Sequence, residues 1–129
     1  MGKDRKSVRV VRVRDLCYKV GDYDILKNIN VSFDTGKFIG IIGPNGSGKT
    51  TLLRHVSAWL KPAKKTVLIN GRDVLSYSEK ELAHEMALVA QSTKIEFEFT
   101  AMDVVLMGRN PYISRFQNES SEDLQIVQR

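Results

Sequence analysis

Valine and arginine alternate near the start of the chain. In SVRVVRVRDLCYKV (7–20), Arg9, Arg12 and Arg14 are interleaved with Val8, Val10, Val11 and Val13, the pattern of a strand with one wet face. GDYD (21–24) reads as a turn, and ILKNINVSF (25–33) as a second strand carried by Ile25, Ile29, Val31 and Phe33. After a DTG turn at 34–36, KFIGIIG (37–43) is nearly all apolar, the composition of a strand covered on both faces. A central strand ending at a glycine-rich loop is therefore expected.

The period then changes. KTTLLRHVSAWL (49–60) places Leu52, Leu53, Val56 and Leu60 on one helical face, with Pro62 as a stop signal. KKTVLINGRDV (64–74) is strand material around an Asn70-Gly71 turn. Ser78 and Glu81 have capping-box spacing before a helix expected to give way to a strand near ALVAQ (87–91). Thr100 and Asp103 open a further helix, broken at Asn110-Pro111. SSEDLQIVQR (120–129) starts another capped, amphipathic helix. No Gly, Asn or Pro closes it before Arg129, so the chain is expected to stop inside an element.

Composition narrows the class. A chain of 129 residues, 42% apolar and 27% charged, suits one modest core. The longest apolar runs, FIGII (38–42) and VVLM (104–107), fall far short of the ~18–20 residues of a membrane span. MGKDRKSV has no apolar stretch behind its charges, and Lys6 stands where a myristoylation motif wants Ser or Thr, so a cytosolic chain is the expectation. Cys17 is the single cysteine; no internal disulfide can form, and a packing role is expected. The net charge of +5 raises nucleic acid or an anionic membrane surface as partners. No aromatic residues accompany the early arginines for base stacking, so a solvated strand without nucleic acid is favoured.

The segment GPNGSGKTT carries the clearest chemistry. Gly43, Pro44, Asn45, Gly46, Ser47, Gly48, Lys49 and Thr50 fit G-x-x-x-x-G-K-[ST]. Glycines at 46 and 48 permit backbone conformations that a Cβ forbids, so successive N–H groups can converge on phosphate oxygens. The positive end of the next helix lies at the same point. In this pattern Lys49 reaches the β- and γ-phosphates, the Thr50 hydroxyl coordinates Mg²⁺, and Thr51 bonds an α-phosphate oxygen. Such a loop alone does not choose among a transporter motor, a nucleotide kinase and a GTPase.

With its flanks, the chain resembles the ATP-binding subunits of ABC transporters over essentially its whole length. GPNGSGKTTLLR is typical of their Walker A segment, ILKNINVSFDTGKFIGIIG of what leads into it, and ALVAQ puts Gln91 at the place of the Q-loop glutamine. TAMDVVLMGRNPYISRF (100–116) looks most like importers of iron-siderophore, haem or cobalamin complexes. The resemblance implies an incomplete α/β P-loop NTPase. Its RecA-like core and antiparallel β-subdomain would occupy residues 1–92, and 93–129 would begin a helical subdomain. It implies ATP and Mg²⁺ as cofactors, with Gln91 as a catalytic residue meeting Mg²⁺ or the attacking water. It also implies peripheral docking on membrane permease subunits at the inner face of the cell membrane, a dimer with a second ATP-binding subunit, and indirect service to a solute-binding protein.

Two departures qualify this expectation. Family members stack adenine on an aromatic residue just before a glycine upstream of the loop, and Val20 stands there, with Tyr18 and Tyr23 as substitutes. After Gln91 there is no LSGGQ-like signature and no apolar run ending in Asp-Glu; VLIN (67–70) ends in Asn70 and comes too early. His55 and His84 are expected as surface or packing residues, not as a switch histidine. Without base and signature, hydrolysis by this chain alone should be negligible. The expectation is the N-terminal part of a longer ABC ATPase. A non-catalytic nucleotide-binding module is the alternative, and a soluble P-loop kinase a weaker one, since Arg109 and Arg115 are poor acceptor-binding residues.

Overall fold

The valine–arginine alternation becomes a long strand, β1 (Val10–Val20), which turns through Gly21 and Asp22 into β2 (Tyr23–Asp34). The structure is a computed structural model that describes residues 10–91, 99–113 and 117–128; Arg9 and Arg115 lie outside them. Strict alternation fails midway along the hairpin, where Val13 pairs with Val31 but the next apolar partners are Leu16 and Ile29. Asp15 and Asn28 take φ of 48° and 47° at this irregularity. The exposed polar groups satisfy one another: the Asp15 N–H donates to Asn30 Oδ1 at 3.0 Å, and Asn30 Nδ2 donates to the Asn28 carbonyl at 3.1 Å. The bulge lets Val13 and Leu16, three residues apart, both reach the core at 2% and 1% exposure.

Strands β3 (Val67–Ile69) and β4 (Arg72–Asp73) are joined by Asn70 and Gly71 at φ 53° and 81°, the two positive values that a tight hairpin turn demands. The antiparallel sheet has the order β2-β1-β3-β4. Its core consists of Val13, Leu16, Leu26, Val67, Ile69 and Val74. Between β2 and β3 lies helix α1 (Lys49–Val56), shorter than the pattern predicts. Ala58 has φ 56°, a conformation that cannot continue a right-handed helix.

Several expectations are corrected. Residues 37–43 form no strand, and Phe38 and Ile42 are almost wholly exposed. An apolar run becomes a strand only with a neighbour to hydrogen-bond, and no described strand lies beside this one. ALVAQ is likewise not a strand; Leu88 and Val89 are exposed. The predicted apolar face of α1 is not fully covered, since Leu53 is exposed and the residue buried on that helix is His55. Cys17 does not pack in the core: it is exposed, and its Sγ accepts the Asn28 N–H at 3.2 Å.

The chain divides into two compact units, Met1–Ser78 and Glu79–Arg129. The second contains α2 (Glu79–Glu85), α3 (Ala101–Met107) and α4 (Ser121–Val127). The caps expected at Thr100 and at Ser120 form there. Thr100 and Asp103 exchange bonds across the start of α3, as Ser120 and Asp123 do across the start of α4. Asn110-Pro111 ends the α3 region in a short 3₁₀ turn.

Candidate nucleotide-binding site

The phosphate-loop residues all lie in the first unit, running from the segment after β2 into the first turn of α1. A turn closes over Pro44 to Ser47, whose N–H donates to the Pro44 carbonyl at 3.2 Å. Gly46 and Gly48 stand at φ 81° and 89°, the left-handed region expected of them. Gly48 is constrained by space as well. A Cβ there would meet Leu26 Cδ2 at 2.9 Å and the Ile25 carbonyl at 3.0 Å, so the absence of a side chain lets the loop sit directly on β2.

Gly48 caps α1 without a side-chain hydrogen bond, and the first turn contains no acidic residue. Its carbonyl accepts the Leu52 N–H at 2.8 Å, the first bond of the helical ladder. The N–H groups of Lys49, Thr50 and Thr51 therefore precede the ladder and have no acceptor within the helix. Donors, partial positive charge and open space coincide at this terminus.

Lys49 is half-buried, and its Nζ donates to the carbonyls of Gly43 at 2.7 Å and Pro44 at 2.8 Å, with the Ser47 hydroxyl at 3.4 Å. The ammonium is thus tethered across the mouth of the loop, and the third, longer contact is the one a phosphate oxygen could replace. The exposed Thr50 starts the helix beside it. Among the described residues no three His, Cys, Asp or Glu side chains cluster to hold a metal ion. The donor set suits Mg²⁺ only with phosphate oxygens as further ligands, the usual manner for this cation.

Behind the loop, sequence reasoning gave His55 no defined place. Its side chain is 1% exposed, its Nδ1 lies 2.8 Å from the Thr51 carbonyl, and its ring meets Tyr18 edge-on at 4.7 Å. This is the packing alternative realised: an imidazole joins α1 to β1 behind the phosphate-loop residues. The only signal was its i+4 spacing from Thr51. Val20 is 55% exposed and Tyr23 79%.

Gln91 lies in the second unit, exposed and at a bend. His84 in that unit is exposed and meets Tyr112 edge-on at 4.4 Å. Arg109 is committed to structure, with its Nε 2.8 Å from Asp123 Oδ1 and its guanidinium over the Tyr112 ring. That disposition leaves little for acceptor binding of the kind a kinase needs.

A glycine loop that runs directly into a helix is the loop–helix half of the strand–loop–helix motif of P-loop nucleotide-binding folds. The model of the family described as ABC transporter matches residues 26–128, and the chain belongs to that family. It is 35% identical over 122 residues to the ferric enterobactin transport ATP-binding protein of Escherichia coli, covering 95% of this chain and 45% of that protein. It is 39% identical over 105 residues to a cobalamin import ATP-binding protein of Halobacterium salinarum, covering 81% of this chain and 26% of that one. The chain therefore spans less than half the length of these relatives. A bacterial Atm1-family ABC exporter with ATP bound has the same fold, with a TM-score of 0.71 at 22% identity over 89% of this chain and 19% of that chain.

Proposed function

We propose that this chain is the nucleotide-gripping part of an energy-coupling ABC ATPase, binding Mg²⁺-ATP through residues 43–51. The observation that carries the reading is the bare, left-handed Gly48 terminus of α1 with Lys49 tethered across the loop. In it, backbone N–H groups and Lys49 hold the phosphates, Thr50 serves Mg²⁺, and Gln91 meets Mg²⁺ or the attacking water. Residues 1–92 act as β-subdomain and core, and 93–129 begin the helical subdomain. Bound Mg²⁺ would supply charge neutralisation between phosphate oxygens.

The relatives' names support an importer for an iron-siderophore, haem or cobalamin complex, with permease subunits and a second ATP-binding subunit as partners on the inner face of the membrane. No helix among the described residues is long and apolar enough to cross a membrane. The sequence after Gln91 contains neither signature nor Asp-Glu pair, so these residues alone bind nucleotide without hydrolysing it at a useful rate. Calorimetric titration of Mg²⁺-ATP tests the proposal. Lys49→Ala should weaken binding by about tenfold to a hundredfold, the loss of a charge-assisted hydrogen bond; unchanged affinity would remove it.

A further inference from the structure

Past the end of α1 the chain carries its one tryptophan in a basic setting. No Asp or Glu occurs in residues 35–72, and Arg54, Lys61, Lys64 and Lys65 fall within residues 54–65. The Leu60 N–H donates to the Arg54 carbonyl at 2.9 Å, folding the chain back so that the Arg54 guanidinium lies over the Trp59 ring at 4.5 Å. The indole is nevertheless 66% exposed. Pro62 is buried and the Ala63 carbonyl accepts the Thr66 N–H at 3.3 Å, so Lys64 and Lys65 stand exposed at the corner of an anchored turn. From Trp59 to Lys65 the chain reaches at most about 20 Å, which keeps these cations near the ring.

The charges are not neutralised locally. Among the described residues no ion pair involves Arg54, Lys61, Lys64 or Lys65. Asp73, the next acid along the chain, commits its carboxylate to the Lys65 and Leu75 N–H groups at 2.7 and 3.0 Å. The helix C-terminus accounts for Arg54 in its last turn, but not for Lys64 and Lys65 beyond it, nor for an exposed indole. An indole beside clustered ammonium groups suits the headgroup layer of an anionic bilayer, where the ring sits at the interface and the cations meet phosphates. Residues 54–65 hold no second Phe, Trp or Tyr, whereas a nucleic-acid platform stacks successive bases on several.

We propose that Arg54, Trp59, Lys61, Lys64 and Lys65 form a contact for anionic phospholipid at the end of α1 opposite the phosphate loop. The eight residues of α1, about 12 Å of helix, separate the two, so lipid and nucleotide do not compete. One ring and a few charges give reversible attachment, far short of a spanning helix.

Because Trp59 is the only tryptophan, its emission reports the contact in the unaltered full chain. Vesicles of phosphatidylcholine with phosphatidylglycerol should shift the emission to shorter wavelength, and lipids brominated in the upper acyl chain should quench it. Pure phosphatidylcholine should do neither, and about 0.5 M NaCl should reverse the shift. In sedimentation with the anionic vesicles, the double variant Lys61→Gln, Lys64→Gln should bind about tenfold to thirtyfold more weakly and Trp59→Ala about tenfold. Mg²⁺-ATP affinity within twofold of the parent shows that both variants fold. Absence of attachment, attachment with Trp59 emission unchanged, equal binding to pure phosphatidylcholine, or tighter binding to single-stranded DNA than to the anionic vesicles would overturn the proposal.

Discussion

Helices α1 and α4 begin in opposite ways. At α4, Ser120 accepts the Asp123 N–H, and the Asp123 carboxylate accepts from both the Ser120 N–H and hydroxyl, so a local anion already occupies the positive terminus. At α1 the cap is a glycine with no side chain, the first turn has no acid, and the donors stay open. One terminus is closed by its own side chains and the other carries no side-chain cap. Helix α3 follows the closed plan, through Thr100 and Asp103.

The open terminus is the more fragile. Gly48→Ala should cause the largest change, because the new Cβ meets the Ile25 carbonyl at 3.0 Å in a backbone with φ 89°. A loss of about 1–3 kcal/mol in denaturant unfolding is expected, together with loss of nucleotide binding. Removing a cap is milder: Ser120→Ala should cost about 1 kcal/mol, visible in melts and without effect on nucleotide affinity. Affinity falling as much in Ser120→Ala as in Gly48→Ala would collapse the contrast.

Acid sharpens it further. The Ser120 hydroxyl and N–H, then Arg109, hold the Asp123 carboxyl down from 3.8 to about 2. A carboxyl with a depressed folded value contributes stability that is complete above the unfolded value and lost as pH falls through the folded one. The α4 cap should therefore weaken gradually between about pH 4 and pH 2, a small effect that Asp123→Asn should abolish in an acid titration followed by circular dichroism.

Local chemistry was legible in the sequence. The glycine loop, both S/T-x-x-D caps and the Asn70-Gly71 turn depend on contacts within a few residues, so their spacing determines them. What failed to form as predicted depends on distant partners. Residues 37–43 and 87–91 have the composition of covered strands, yet a strand exists only beside another. The pattern showed that Phe38 and Ile42 need cover without naming what covers them. Cys17 and Leu53 were misread for a related reason, since exposure is a property of neighbours. Whether Gln91 serves the loop is likewise a matter of tertiary placement, which residue spacing does not encode.

The seat of Gly48 on β2 widens the hereditary footprint of the site. Ile25 and Leu26 lie far from the loop in sequence, yet their atoms set the clearance available to it. A bulkier side chain at either position should push on the glycine and so disturb the loop from outside it. Selection for binding thus reaches back into the hairpin, and variation tolerated elsewhere on β2 should narrow at those two positions.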